Sequence, residues 1–102
     1  MKGTDMRHIL TLSLLLLATV AVAAGEPKFG QPLHDKQCVS CHVKQMGGDG
    51  SKIYTRSPRL VNDKKALRER VDLCVKNTGA GWLPEDEENV TAYLNKQYYK
   101  FK

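Results

Sequence analysis

The five residues Cys38-Val39-Ser40-Cys41-His42 constrain this chain more than any other stretch. They spell C-x-x-C-H, the spacing of a c-type haem attachment site. Two thiols three positions apart can each add to one vinyl group of a haem. The histidine that follows then lies under the iron and supplies an imidazole nitrogen as an axial donor. A covalent haem in a small chain narrows function to electron transfer, binding of small gases or redox sensing. The donor on the other face of the iron decides among them.

Not all 102 residues belong to the folded unit. Lys2 and Arg7 stand in a short polar head, and an apolar run from Ile9 to Val20 follows. The run exits through Ala21-Val22-Ala23-Ala24-Gly25, with Val22 and Ala24 at the −3 and −1 positions of a secretory cleavage site. Residues 1–24 are therefore expected to be a signal peptide cleaved after Ala24, with Ala23 as the second choice. The run is short for a membrane span, so no span is expected after cleavage. The address is export to the periplasm. Residues 25–102 then form one domain, near the size at which a core alone is marginal. A buried haem would become the centre of that core, and the chain without it should fold poorly.

The whole chain has 16 basic and 11 acidic residues; without Lys2, Arg7 and Asp5 the net charge is +4. That mild excess suits an acidic redox partner or a membrane surface. No nucleic-acid motif is present, and none is expected in an exported chain. Lys64, Lys65, Arg68 and Arg70 cluster on one segment and Glu85 to Glu88 form an acidic block. Solvated helix faces and favourable terminal dipoles account for both.

The order of elements reads as all-α, three to four helices around one haem. Pro27 to Gly30 reads as an extended lead-in, and Gln31 to Gln37 as a short helix with Pro32 in its first turn. Gly47 to Ser51 is a turn, and Lys52 to Leu60 is irregular, with Ile53, Tyr54 and Leu60 placed to close over a haem edge. Asn62 or Asp63 caps a helix that runs to about Asn77, with Gly79 just past its end. Leu67, Val71, Cys74 and Val75 share its apolar face. After Gly79-Ala80-Gly81, Trp82-Leu83 is an apolar anchor and Pro84 opens the last helix, whose stripe is Val90, Tyr93, Leu94 and Gln97. The aromatic tail Tyr98-Tyr99-Lys100-Phe101 either folds back onto the first helix or forms a dimer contact.

Few side chains qualify for the distal position. Met46 is the one methionine outside the leader, and it lies only four positions after His42, too short a tether to cross the macrocycle. His34 is tethered on the proximal side and should pack or hydrogen-bond at the surface. Lysines such as Lys65 and Lys76 must first lose a proton. Cys74 remains, an odd cysteine in an oxidising compartment. Three readings of it stay open: an axial thiolate in an apolar pocket, a small core residue beside an open five-coordinate iron, or one half of an intermolecular disulfide.

The order of helix, C-x-x-C-H, loop, middle helix and a last helix bearing Ala92-Tyr93-Leu94 resembles class I cytochrome c. That resemblance implies that the first and last helices cross. It also implies a methionine ligand before the last helix, where this chain has Gly81-Trp82-Leu83-Pro84. Val71-Asp72-Leu73-Cys74, Gly79-x-Gly81-Trp82 and the ending Tyr98-Tyr99-Lys100-Phe101 are similar to a group of short periplasmic monohaem cytochromes that includes the two subunits of the NaxLS cytochrome. The resemblance implies haem c held by Cys38 and Cys41, His/Cys axial ligation by His42 and Cys74, nitric oxide and carbon monoxide as ligands, and assembly as a homo- or heterodimer.

A thiolate donor favours Fe(III), so low-potential electron transfer to a redox partner protein or a second cytochrome subunit is expected, coupled to or replaced by gas binding. The alternative is a dedicated gas or redox sensor with a displaceable distal ligand, or an open-site cytochrome. No acid–base pair stands ready for peroxide or nitrogen-oxide chemistry, so an enzyme is not expected.

Overall fold

Pro27 occupies the first turn of α1 (Pro27–Gln37), where its fixed φ suits a helix and its missing N–H costs nothing. The lead-in expected to be extended is therefore helical, and Pro32 falls inside the helix. The reason lies 63 residues away. The Glu26 N–H donates to Asn89 Oδ1 at 2.8 Å, and Gly30 is so close to the Asn89 carbonyl that a Cβ there would overlap it. A computed structural model describes residues 25–102; the expected leader, 1–24, lies outside them.

After α1, α2 (Val39–Met46) follows with only Cys38 between them. A short helix α3 (Lys52–Thr55) replaces part of the stretch expected to be irregular. Helix α4 (Lys64–Thr78) starts at Asp63, whose carboxylate accepts the Ala66 N–H at 2.7 Å, and stops at Gly79 in the left-handed conformation, φ +66°. Helix α5 (Pro84–Leu94) opens on Pro84, and Asp86 accepts the Leu83 N–H at 3.0 Å. The fold is all-α, with five helices rather than three or four and no strand among the described residues. None of the described helices is long and apolar enough to cross a membrane.

Helices α1 and α5 pack against each other along much of their length, and α4 lies against α5. The guanidinium of Arg68 on α4 bridges to Glu87 Oε1 at 2.9 Å and Glu88 Oε1 at 2.6 Å on α5. The acidic block thus does more than face solvent, since Glu87 is buried.

The chain leaves α5 through a π-helical turn, Asn95–Tyr99, in which the Lys100 N–H reaches back five residues to the Asn95 carbonyl at 2.7 Å. This widening shifts the register. Gln97, expected on the apolar stripe, is exposed, and Tyr99 is buried in its place. The tail folds back onto α3 rather than α1: Tyr98 and Tyr99 lie 4.9 and 6.0 Å from the Tyr54 ring. The Asn95 amide closes it by donating to the Phe101 carbonyl and accepting the Phe101 N–H. Leu83, expected to anchor with Trp82, is 66% exposed, while Trp82 packs against the core.

Candidate haem-binding site

The C-x-x-C-H stretch spans the joint between α1 and α2. The Cys38 N–H finishes α1 by donating to the His34 carbonyl at 2.9 Å, and the His42 N–H donates to the Cys38 carbonyl at 3.2 Å. Helical spacing brings Cys38, Cys41 and His42 to one wall of a cavity of about 410 Å3. That volume falls in the range of cofactor and small-molecule sites, roughly 300–1,000 Å3.

The turn before α3 braces this wall. Gly50 has φ +83°, and a side chain there would press on the His42 Cβ at 2.9 Å and the Val43 nitrogen at 3.0 Å. Asp49 holds the turn by accepting the Ser51 amide at 2.9 Å and its hydroxyl at 2.6 Å. Those bonds keep the Asp49 carboxyl below its ordinary pKa.

The His42 imidazole is anchored through one nitrogen. Nδ1 lies 2.8 Å from Tyr54 Oη, and the Tyr54 ring meets the imidazole edge-on at 82°. The Tyr54 hydroxyl also lies 2.8 Å from His34 Nε2, and His34 Nδ1 lies 3.0 Å from Asp35 Oδ1. His34 is therefore buried, 4% exposed, and not at the surface as its sequence position suggested. Burial first, and the neighbouring His34 second, lower the His42 pKa and favour the neutral imidazole that a metal requires. Burial above all pushes the Tyr54 phenol far up, so it keeps its proton.

Every buried hydrophobic side chain among the described residues lines this cavity, Tyr54, Val61, Val90, Leu94 and Tyr99 among them. The hydrophobic core is a shell around a hollow. Ile53, Tyr54 and Leu60 all border it, as their sequence positions suggested. Arg56 and Arg70 are the two cationic side chains in its lining.

Cys74 lines the cavity from α4, together with Val71 and Val75. It lies at the edge of the buried stripe Leu67, Val71 and Val75 and is exposed at the mouth, not enclosed in an apolar pocket. Partial burial raises its pKa while Arg70 lowers it. Cys38 is pushed up to about 11, by burial first and then by Cys74, Cys41 and Asp35. Met46, His34 and the lysines do not line the cavity; Lys76 pairs with Asp72 at 2.7 Å and Lys65 with Glu69 at 3.9 Å. Of the distal donors weighed from the sequence, Cys74 alone faces it.

The residues fit a covalent haem. The two thiols and the histidine share a wall, His42 is anchored through Nδ1 and would keep Nε2 for the iron, and the Cys74 sulfur and apolar lining suit a macrocycle. Arg56 and Arg70 would pair with its propionates. No three His, Cys, Asp or Glu side chains converge among the described residues, as a protein-only metal site would need. A haem iron needs two protein donors at most, because the macrocycle fills four positions. Sequence reasoning missed the Tyr54–His34 link, since separations of 12 and 20 residues carry no periodic signal. No protein-family model, curated protein or solved structure matches the chain.

Proposed function

We propose that residues 25–102 are an exported monohaem c-type cytochrome with a class I-like helical arrangement. In this reading His42 and Cys74 are the axial ligands and the role is low-potential, one-electron transfer. One observation carries the proposal: the C-x-x-C-H residues and Cys74 border a single cavity walled by the entire buried hydrophobic core. When bound, the haem would supply a one-electron Fe(III)/Fe(II) couple.

The chain's own residues do the rest. Cys38 and Cys41 each add a sulfur and a proton across a vinyl group, which requires both as free thiols. His42 offers Nε2 from an imidazole held by Tyr54. Cys74 offers an anionic sulfur, which favours the ferric state and lowers the potential. The apolar wall limits water at the centre, and Arg70 beside Cys74 compensates part of the thiolate's charge. The partner is a redox protein or a second cytochrome subunit, in a homo- or heterodimer.

A second reading has support in the exposure of Cys74 at the cavity mouth. A sulfur that solvent reaches can be protonated and released, which would open the distal face to nitric oxide or carbon monoxide. The protein would then be a gas or redox sensor.

Ferric and ferrous optical and EPR spectra of the haem-loaded protein and Cys74→Ala test the ligand set. The expected result is a thiolate-type low-spin ferric spectrum that becomes high-spin, or changes ligand, in Cys74→Ala. Identical spectra would remove Cys74 from the iron. Retention of the thiolate in the ferrous state would favour electron transfer, and its loss on reduction would favour the sensor.

A further inference from the structure

The proton inventory behind His42 admits one consistent order. With Nε2 given to the iron, His42 Nδ1 carries a hydrogen and donates to Tyr54 Oη, 2.8 Å away. The phenolic hydrogen is then free to donate to His34 Nε2, also at 2.8 Å. His34 must carry its own hydrogen on Nδ1, which donates to Asp35 Oδ1 at 3.0 Å. Each ring nitrogen plays one role, Tyr54 Oη accepts one bond and donates the other, and no proton is left over. The middle of the chain is dry, with Tyr54 8% and His34 4% exposed, and it ends on a carboxylate at the surface.

We infer that Tyr54, His34 and Asp35 are positioning residues that set the donor strength of His42, and hence the reduction potential of the centre. The inference rests on the haem reading above. A ligating histidine that donates its second N–H to a basic partner becomes a stronger base and holds one ring orientation. A phenol oxygen is a modest acceptor. Its acceptor strength rises when its own hydrogen is given to an imidazole that is in turn polarised by a carboxylate. The chain thus directs the negative charge of Asp35 towards His42 across three hydrogen bonds. A histidine with more anionic character stabilises Fe(III), as the Cys74 thiolate does from the opposite face. The two faces act in the same direction, and the proximal one does so without a charge of its own beside the iron.

The competing account makes Tyr54 a filler of the aromatic cluster formed by His34, His42, Tyr98 and Tyr99. Tyr54→Phe separates the two, because it keeps the ring and removes only the hydroxyl. Asp35→Asn offers a second handle at an exposed position that need not disturb folding.

The experiment is a redox titration of the haem-loaded protein, Tyr54→Phe, Asp35→Asn and the double variant, with ferric EPR recorded on each and the ferrous iron–histidine stretching frequency recorded on each in a Cys74→Ala background, which frees the distal position. Tyr54→Phe is expected to shift the ferric–ferrous balance about tenfold towards Fe(II), about 59 mV for one electron, and to lower the stretching frequency. Asp35→Asn should move both in the same direction by less. Its effect on the stretching frequency should vanish in the Tyr54→Phe background, since a through-space charge would act in both. An unchanged potential and frequency in Tyr54→Phe, with the same axial ligands, overturns this inference and leaves the haem reading intact. Should Tyr54→Phe not fold, an Asp35→Asn protein identical to the parent overturns it equally. A parent protein without covalent haem overturns both readings.

Discussion

At the scale of single residues, Gly30 decides how closely two helices approach. A methyl group at that position would overlap the carbonyl of Asn89 on α5. Alanine is the better helix former by about 1 kcal/mol, so propensity and packing make opposite predictions for Gly30→Ala. Backbone against backbone cannot yield as a side chain can, so packing should win. Gly30→Ala is expected to lose about 1–3 kcal/mol in denaturant titration. A stabilised variant would show that α1 and α5 can move apart at little cost. Position 30 was not recognisable as a contact from the sequence, where it read as part of an extended lead-in. Asp63, Gly79 and Pro84 were legible because a cap, a left-handed stop and a first-turn proline act within four residues of themselves.

At the scale of elements, the packing of α4 against α5 carries a polar clamp. Arg68 makes two charge-assisted contacts, one to the buried Glu87 and one to the exposed Glu88. Removing the guanidinium leaves Glu87 with a carboxylate facing the core edge and no cation. Burial, followed by the neighbouring Asp72 carboxyl, already raises the pKa of Glu87, although Arg68 opposes this. Arg68→Met keeps most of the aliphatic stem and is expected to cost about 1–3 kcal/mol. Glu88→Gln, at the exposed end, should cost less than about 1 kcal/mol. Equal losses from the two variants would mean that burial of Glu87 is not what gives the clamp its strength. In the sequence these residues read as solvated faces with dipole-compensating ends. Nothing in a run of charges tells which of them meets a partner from another helix. The π-helical turn was hidden for the same reason: it depends on Asn95 finding both backbone groups of Phe101, a contact made only once the tail has folded.

At the scale of the whole molecule, the core and the cavity are built from the same side chains. Among the described residues only Leu67 and Val90 have almost fully enclosed large side chains, at 1% exposure each. A hollow of about 410 Å3 leaves the core side chains without packing partners on one face, a loss that weighs heavily against a net stability of only about 5–15 kcal/mol. Cys38→Ala/Cys41→Ala, which removes the attachment points, is therefore expected to lose most of its helical circular dichroism and its cooperative thermal transition when no haem is bound. A cooperative, fully helical double variant would show that the shell holds itself up. The motif, the all-α class and the side chains around the cavity were legible in the sequence, because they depend on type and short spacing. The depth of the hollow and the exposure of Cys74 at its mouth were not, because they depend on how three helices splay.

The last five residues are not a loose end. Tyr98 and Tyr99 lean on Tyr54, whose hydroxyl steadies His42. The segment from Tyr98 onward is thus a mechanical handle on the His42 imidazole. Trimming the chain at Gln97, or tethering it to an electrode through Lys100 or Lys102, would disturb the same ring that orients His42. A purification tag added at this end would tune the property it was meant to help measure.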